Sequence, residues 1–230
     1  MNNLGLIATE IISAALAFIL VRFMIKPYKI LGENRYLGLP LGFAFLGVSY
    51  IFTGTSLSIN DPSIIEDMQW LQLFMGSYAF AFLAVTYYFS TKPYERRTRL
   101  FLQAILSLLV LGLVFSYLIV FEPPLFALPS YKTVDEYFRI SNMILALYIT
   151  LYTLRGHALK PDPKTIISPL GYALLAFSQY SQLIWSLDSS LSAFVGAHII
   201  RFASLLVFLF VSYKAFIASQ NAIYKKSGME

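Results

Sequence analysis

The sequence contains no cysteine, and only 13% of its 230 residues are charged. The absence of cysteine excludes disulfides, thiolate zinc sites, iron–sulfur clusters and a cysteine nucleophile. The shortage of charge excludes most soluble enzymes, because soluble proteins carry about 25% charged residues. Walker loops, nucleophile elbows and His-Glu-x-x-His zinc motifs are also missing, so we expect no enzymatic activity.

Apolar and aromatic residues are abundant instead, at 58% and 17% of the chain. A helix needs about 20 mostly apolar residues to cross a bilayer, and seven segments meet this requirement. We predict an all-α polytopic membrane protein, a seven-transmembrane-helix bundle that forms a single integral membrane domain over residues 1–230. The predicted spans cover residues 4–25, 36–55, 69–91, 99–121, 136–155, 168–187 and 193–216.

Charges in the loops alternate along the chain. The first, third and fifth loops and the C-terminal tail are basic, whereas the even-numbered loops are acidic or nearly neutral. Basic loops stay in the cytoplasm, so we predict a cell-membrane protein with its N-terminus outside and its C-terminus inside. The net charge of +5 follows from these loops and does not indicate a nucleic-acid partner. The basic loop and tail residues are Lys26, Lys29, Arg35, Lys92, Arg96, Arg97, Lys160, Lys164, Lys225 and Lys226.

The chain contains signs of an internal repeat. Pro-Leu-Gly stands near the start of the second span, at 40–42, and at the start of the sixth, at 169–171. The third and seventh spans end on similar triplets, Val-Thr-Tyr at 85–87 and Val-Ser-Tyr at 211–213. We therefore predict a 3+1+3 plan in which the fourth helix connects two three-helix units. The proposed repeats cover residues 1–91 and 136–216.

In outline, this plan resembles the SWEET sugar transporters, the microbial rhodopsins and the seven-helix sensory modules that precede signalling kinases. The resemblance implies either transport of a small solute or reception of a ligand. Two features depart from these families. The proline–glutamine pair of PQ-loop proteins is absent, and Lys214, the only candidate retinal lysine, lies near the cytoplasmic end of the seventh span. We therefore expect neither retinal nor any other cofactor.

Eight polar side chains fall in the predicted outer half of the spans. Polar groups are costly in a bilayer and usually face the bundle interior or a watery cavity. At 1.5 Å of rise per residue, several of them lie about 9–12 Å below the outer boundary. We predict that they line a polar ligand-binding pocket. The eight residues are Glu10, Gln72, Arg139, Asn142, Gln179, Gln182, His198 and Arg201.

Several roles are open for the charged members of this set. Glu10 and Arg201 are expected either to form an ion pair between the first and last helices or to leave Arg201 facing an anionic ligand or the headgroups. His198 suits a hydrogen-bonded interior role or a proton switch. We expect no metal site, because His157 belongs to the opposite membrane face. Trp70 and Trp185 are expected as interface anchors.

These observations favour a receptor-like, sensory or ligand-binding membrane protein. The expected partners are the lipid bilayer, an unknown small polar or anionic ligand and a signalling protein at the basic cytoplasmic loops. One alternative is a small-solute transporter built from two three-helix repeats. Another is an accessory subunit of a larger membrane complex, with the polar layer contacting its partners.

Overall fold

The computed structural model describes residues 4–31, 38–90, 94–121, 130–159 and 166–227, and the regular structure in these ranges is α-helical. The helices are α1 (Leu4–Leu31), α2 (Gly38–Ser56), α3 (Pro62–Ser90), α4 (Tyr94–Phe121), α5 (Tyr131–Leu159), α6 (Ile167–Asp188) and α7 (Leu191–Ser227). The prediction of seven helices is confirmed for this part of the chain. Four of the basic loop residues that predict the orientation, Arg35, Lys92, Lys160 and Lys164, lie outside the described residues.

Helices α3 and α5 begin earlier than the apolar runs predict. Asp61 caps α3 by accepting hydrogen bonds from the Ser63 backbone N–H at 3.0 Å and the Ser63 hydroxyl at 2.8 Å. These bonds hold the pKa of the Asp61 carboxyl below its usual range. Pro62 follows as the first helical residue, where its missing N–H costs nothing. The same kind of polar start precedes α5, where Ser130 lies before Tyr131 and accepts from the Thr133 N–H at 3.5 Å.

Five of the described helices are long and apolar enough to cross a membrane, namely α1 to α4 and α7. Large apolar side chains also cover the outside of the molecule, and Leu113 on α4 is 73% exposed. Apolar surface on this scale indicates contact with lipid. Helices α5 and α6 do not reach the same hydropathy, and both carry polar residues of the predicted pocket. Of the seven predicted membrane spans, five are thus supported by the length and hydropathy of the described helices.

Six of the helices form a closed ring. Going round it, the neighbours are α1, α2, α3, α5, α6 and α7, and α7 packs against α1 again. Helix α4 packs against α3 on the outside of this ring. The ring therefore encloses an interior to which α4 contributes little.

One half of the ring interior is apolar. Phe208 of α7 packs edge-on against Phe43 of α2 and Tyr172 of α6, with ring centroids 5.2 and 4.6 Å away. Leu20 of α1 and Ile149 of α5 are fully buried in the same layer. In each helix these apolar positions lie towards one end of the ring and the predicted polar residues lie towards the other. Polar and apolar layers therefore stack along the ring axis.

The anchor role expected for Trp70 is wrong. Its side chain is 3% exposed and packs against Phe74 and Tyr131, with ring centroids 6.0 and 5.3 Å away. Ile119 of α4 belongs to the same cluster. Helix α4 thus buries this face of α3, which sequence position alone does not reveal. Trp185 is 38% exposed.

Candidate functional site

Glu10 lies at the centre of a buried charge cluster where α1 meets α7. Its carboxylate is fully buried, and its Oε1 atom accepts a hydrogen bond from the Arg201 guanidinium in a buried ion pair. The ring of Tyr50 lies 4.3 Å from the Arg201 guanidinium carbon in a cation–π contact. The ion pair expected between the first and last helices is present.

His198 joins the same cluster through both of its ring nitrogens. Its Nδ1 atom is 2.8 Å from the backbone oxygen of Phe194, and a carbonyl can only accept, so Nδ1 carries a hydrogen. Its Nε2 atom is 2.8 Å from Glu10 Oε1, though not aligned for a hydrogen bond. His198 thus places one ring nitrogen on the α7 backbone and the other beside the Glu10 carboxylate.

A second charge cluster lies on α5. Arg139 donates from Nε to Asp135 Oδ1 at 2.9 Å, and its Nη2 atom is also 2.9 Å from that oxygen. Its third nitrogen donates to the Gln182 side chain of α6. One turn further along α5, the Asn142 amide donates to Ser77 at 3.1 Å and to Gln179 at 3.4 Å. These bonds join α3, α5 and α6 through polar side chains.

Asp135 is a buried acid that the predicted spans do not include, because it lies one residue before the predicted fifth span of 136–155. The structure places Asp135 inside α5 with 2% exposure. The cause is the early start of the helix at Tyr131, after the Ser130 cap, which places Asp135 in α5 one turn before Arg139.

The two clusters face one small cavity in the ring. Its volume is about 20 Å³, which is room for one water-sized particle. Six of the eight predicted site residues line it, whereas Glu10 and His198 lie behind Arg201 and do not. The polar side chains in the lining are Ser49, Tyr50, Gln72, Arg139, Asn142, Gln179, Gln182 and Arg201.

Tyr50 and Ser49 are site residues that the sequence reasoning missed. Tyr50 is 3% exposed, and its hydroxyl has no hydrogen-bond partner among the described side chains and backbone. The same residue lines a hollow of about 420 Å³ on the outer surface between α1 and α2, whose lining is mostly apolar. Tyr50 thus separates an apolar groove from the polar cavity. Tyr50 follows Ser49 as Gln179 follows Ser178 at the matching positions of the predicted repeat. This match to Gln179, a predicted site residue, is the sequence signal that could have found Tyr50.

Among the described residues, no group of three or more His, Asp or Glu side chains is placed to hold a metal ion. The buried polar side chains are instead bonded largely to one another, and the two carboxylates each contact an arginine. Comparison of the chain with models of known protein families, with curated proteins and with solved structures finds no match.

Proposed function

We propose that this protein is a receptor-like, ligand-binding membrane protein whose site is the polar cavity within the ring. The observation that carries the proposal is convergence. Side chains from α2, α3, α5, α6 and α7 line one small cavity. Polar side chains that served only to join adjacent helices would not need to meet at a common space. Pockets that combine apolar walls with a few convergent polar groups are the usual form of ligand sites.

The size of the cavity indicates how ligand binding would act. The ring encloses only about 20 Å³ in this conformation. Any polar or anionic ligand larger than one water molecule therefore requires the helices to separate. Such a separation would favour a second arrangement of the ring, and a signalling partner at the cytoplasmic loops would respond to that arrangement.

The proposed orientation in the cell membrane is supported by the alternating loop charges. In this orientation the cavity lies in the outer half of the bundle, and the apolar layer around Phe43 and Phe208 lies in the inner half. A ligand would reach the site from outside. The apolar layer would separate the site from the cytoplasm.

The orientation predicts which introduced thiols are accessible. The chain has no cysteine, so a single replacement reports on its own position. Asn60 and Ala158 are both exposed and lie near opposite ends of the helices. We expect a membrane-impermeant maleimide to label Asn60→Cys in intact cells and Ala158→Cys only after the membrane is opened. The reverse pattern would contradict the proposed topology.

A transporter is the second candidate, and the order of helices in the ring supports a duplicated three-helix unit. Exchanging α1 with α5, α2 with α6 and α3 with α7 turns every neighbouring pair of the ring into another neighbouring pair. Helix α4 stands outside the ring, as a connector between the units would. Transporters with parallel repeats bind their substrate between the two halves.

Equivalent hydrogen bonds support the same duplication. The Ser49 hydroxyl donates to the backbone oxygen of Gln72 at 2.9 Å, and the Ser178 hydroxyl donates to that of Ala197 at 3.1 Å. Ser178 follows Ser49 by 129 positions, and Ala197 follows Gln72 by 125. The same two offsets relate two tight contacts made by glycines. A Cβ atom at Gly42 would lie 2.7 Å from Leu83, and one at Gly171 would lie 2.7 Å from Phe208.

The burial of α1 and α5 also supports the proposed repeat. Four positions of α1 and the four positions that lie 129 residues later in α5 are all buried. In α1 they are Glu10, Ser13, Ala17 and Leu20, and in α5 they are Arg139, Asn142, Ala146 and Ile149. The offset of 125 for the last helix differs by one from the 126 that the matched triplets suggest. The hydrogen bonds support the offset of 125, because they join specific atoms.

A thermal-stability screen tests ligand binding. A ligand that binds only the folded protein raises its melting temperature. In a chloride-free buffer, we expect members of a panel of small carboxylates, phosphates, sugars and amino acids to stabilise the wild type but not Gln179→Leu. Gln103→Leu serves as the matched control, because Gln103 is an exposed glutamine on α4. If no compound distinguishes Gln179→Leu from Gln103→Leu, the cavity is not a ligand site of this kind.

Uptake into proteoliposomes separates the two candidate functions. A compound that stabilises the protein is expected to remain outside the vesicles if the protein is receptor-like. Accumulation or exchange of that compound would instead favour the transporter.

A further inference from the structure

The surface between α1 and α2 contains the hollow of about 420 Å³ that Tyr50 separates from the polar cavity. Its lining includes the exposed side chains of Ile11, Phe18 and Ile51 and the buried residues Ala14 and Tyr50. Both helices are long and apolar enough to cross a membrane, so the hollow opens to lipid in a bilayer. It therefore continues the apolar outer surface that contacts lipid.

The hollow is long and narrow. Its lining extends from Ile7 to Phe18 on α1, which are 11 positions and about 16 Å apart along the helix. Over that length, a volume of about 420 Å³ has a cross-section of roughly 26 Å² and is about 5 Å across. Carbon atoms in contact lie about 3.5–4.0 Å apart, so this width suits one hydrocarbon chain and not two. The length is about half of the ~30 Å hydrocarbon core, which is the thickness of one leaflet.

The two ends of the hollow differ in polarity. Thr55 and Ser58 lie at the end near the C-terminus of α2, whereas Phe18 lies towards the other end. The two hydroxyls donate to backbone oxygens at 2.8 Å, and their own oxygens remain able to accept hydrogen bonds. A membrane lipid has the same order of groups, with polar atoms at the surface of the bilayer and a hydrocarbon chain below.

A helix of a second copy or of another protein does not match this space. A helix with its side chains is about 10–12 Å across, so a 16 Å length occupies roughly 1,300–1,800 Å³, three to four times the volume of the hollow. It could insert only a row of side chains and would leave the space between them empty. Empty space forfeits van der Waals contacts of the lining, whereas a hydrocarbon chain fills the hollow along its length.

We propose that the hollow is a binding site for one acyl chain of a membrane lipid, which belongs to the outer leaflet in the proposed orientation. The chain lies against Ile11, Ala15 and Ile51, and the polar end of the lipid lies beside Thr55 and Ser58. Lipid tails are as apolar as these side chains, so binding depends on the fit of the chain and not on the hydrophobic effect. The inference does not require the polar cavity to be a ligand site.

Photocrosslinking in proteoliposomes tests the proposal. The probe is a phosphatidylcholine with a diazirine in the middle of one acyl chain, diluted into ordinary phosphatidylcholine, and peptide mass spectrometry locates the labelled residues. We expect Ile11 and Ile51 to be labelled more than Leu106 of α4. Leu106 is more exposed than either, and it lies six residues into its span as Ile11 lies seven into its own. Equal labelling of the two surfaces would overturn the proposal.

Ile11→Trp and Ile12→Trp form a matched pair of variants. The two isoleucines are neighbours on α1 and both are exposed, but only Ile11 lines the hollow. The larger side chain in Ile11→Trp takes up space that the acyl chain needs, so the excess labelling of Ile51 is expected to be lost. Ile12→Trp is expected to retain it. Retention in both variants, or loss in both, would contradict the proposed site.

Native mass spectrometry of the purified protein distinguishes the other occupants. One phospholipid bound to the wild type and to Ile12→Trp, but absent from Ile11→Trp, supports the proposal. A lipid-free wild type would overturn it. A lipid-free dimer that Ile11→Trp converts to a monomer would also overturn it, and would assign the hollow to a second copy of the chain.

Discussion

Replacing Arg201 by methionine is expected to lower the free energy of unfolding by about 3–5 kcal/mol, the cost of removing one partner from a buried ion pair. Glu10 is fully buried, and its second carboxylate oxygen already has no partner among the described groups. Without the guanidinium, the carboxyl must take up a proton or remain buried as an unpaired charge. Unfolding in mixed micelles with a denaturing detergent measures the loss.

A double-mutant cycle shows whether that loss belongs to the pair. Glu10→Gln alone is expected to destabilise the protein, because it leaves the Arg201 charge buried. The double variant Glu10→Gln/Arg201→Met should recover much of the combined loss, since both charges are then absent. Simple addition of the two single losses would contradict the ion pair. An unchanged stability in Arg201→Met, together with loss of binding of an anionic compound, would assign the arginine to the ligand alone.

Arg139→Met is expected to be comparably damaging, by about 3–5 kcal/mol, because it leaves Asp135 as a buried carboxylate without its cation. It also removes the donor to Gln182, which joins α5 to α6. Arg139→Lys should not restore the stability. A lysine ammonium lacks the planar fork with which Arg139 contacts Asp135 through Nε and Nη2 and Gln182 through Nη1.

The control for this variant lies on the same helix. Arg155 is exposed on α5, so Arg155→Met is expected to change the free energy of unfolding by no more than about 0.5 kcal/mol. The same detergent titration measures all three variants. Equal losses in Arg139→Met and Arg155→Met would mean that the Asp135 cluster contributes nothing to stability. Full rescue by lysine would mean that charge alone, and not the fork, is required.

The helices of this protein are easy to predict, because apolar runs long enough to cross a bilayer leave few alternatives. The starts of α3 and α5 are harder. They depend on capping by Asp61 and Ser130, which lie outside the apolar runs and therefore outside any hydropathy window. The burial of Asp135 was missed for the same reason.

The sequence also predicts which polar residues face the interior, since polar groups that face lipid are costly. The partner could be predicted only for Glu10 and Arg201, because the predicted spans contain few residues of opposite charge. The Arg139 contact with Gln182 depends on how α5 and α6 are rotated against each other. The unpaired hydroxyl of Tyr50 and the small volume of the cavity depend on packing of the whole ring, which no local pattern specifies.

The contact between Glu10 and Arg201 closes the ring with residues that are 191 positions apart in the chain. A ribosome that adds about 5–20 residues per second needs roughly 10–40 s between making the two. During that interval α1 has been synthesised, but the Glu10 carboxyl cannot yet pair with the Arg201 guanidinium. Biogenesis must therefore hold this helix with a protonated carboxyl, or keep it beside the insertion machinery, until α7 arrives. Nascent chains truncated before Arg201 would accordingly leave α1 accessible to quality-control proteases, whereas chains long enough to insert α7 would protect it.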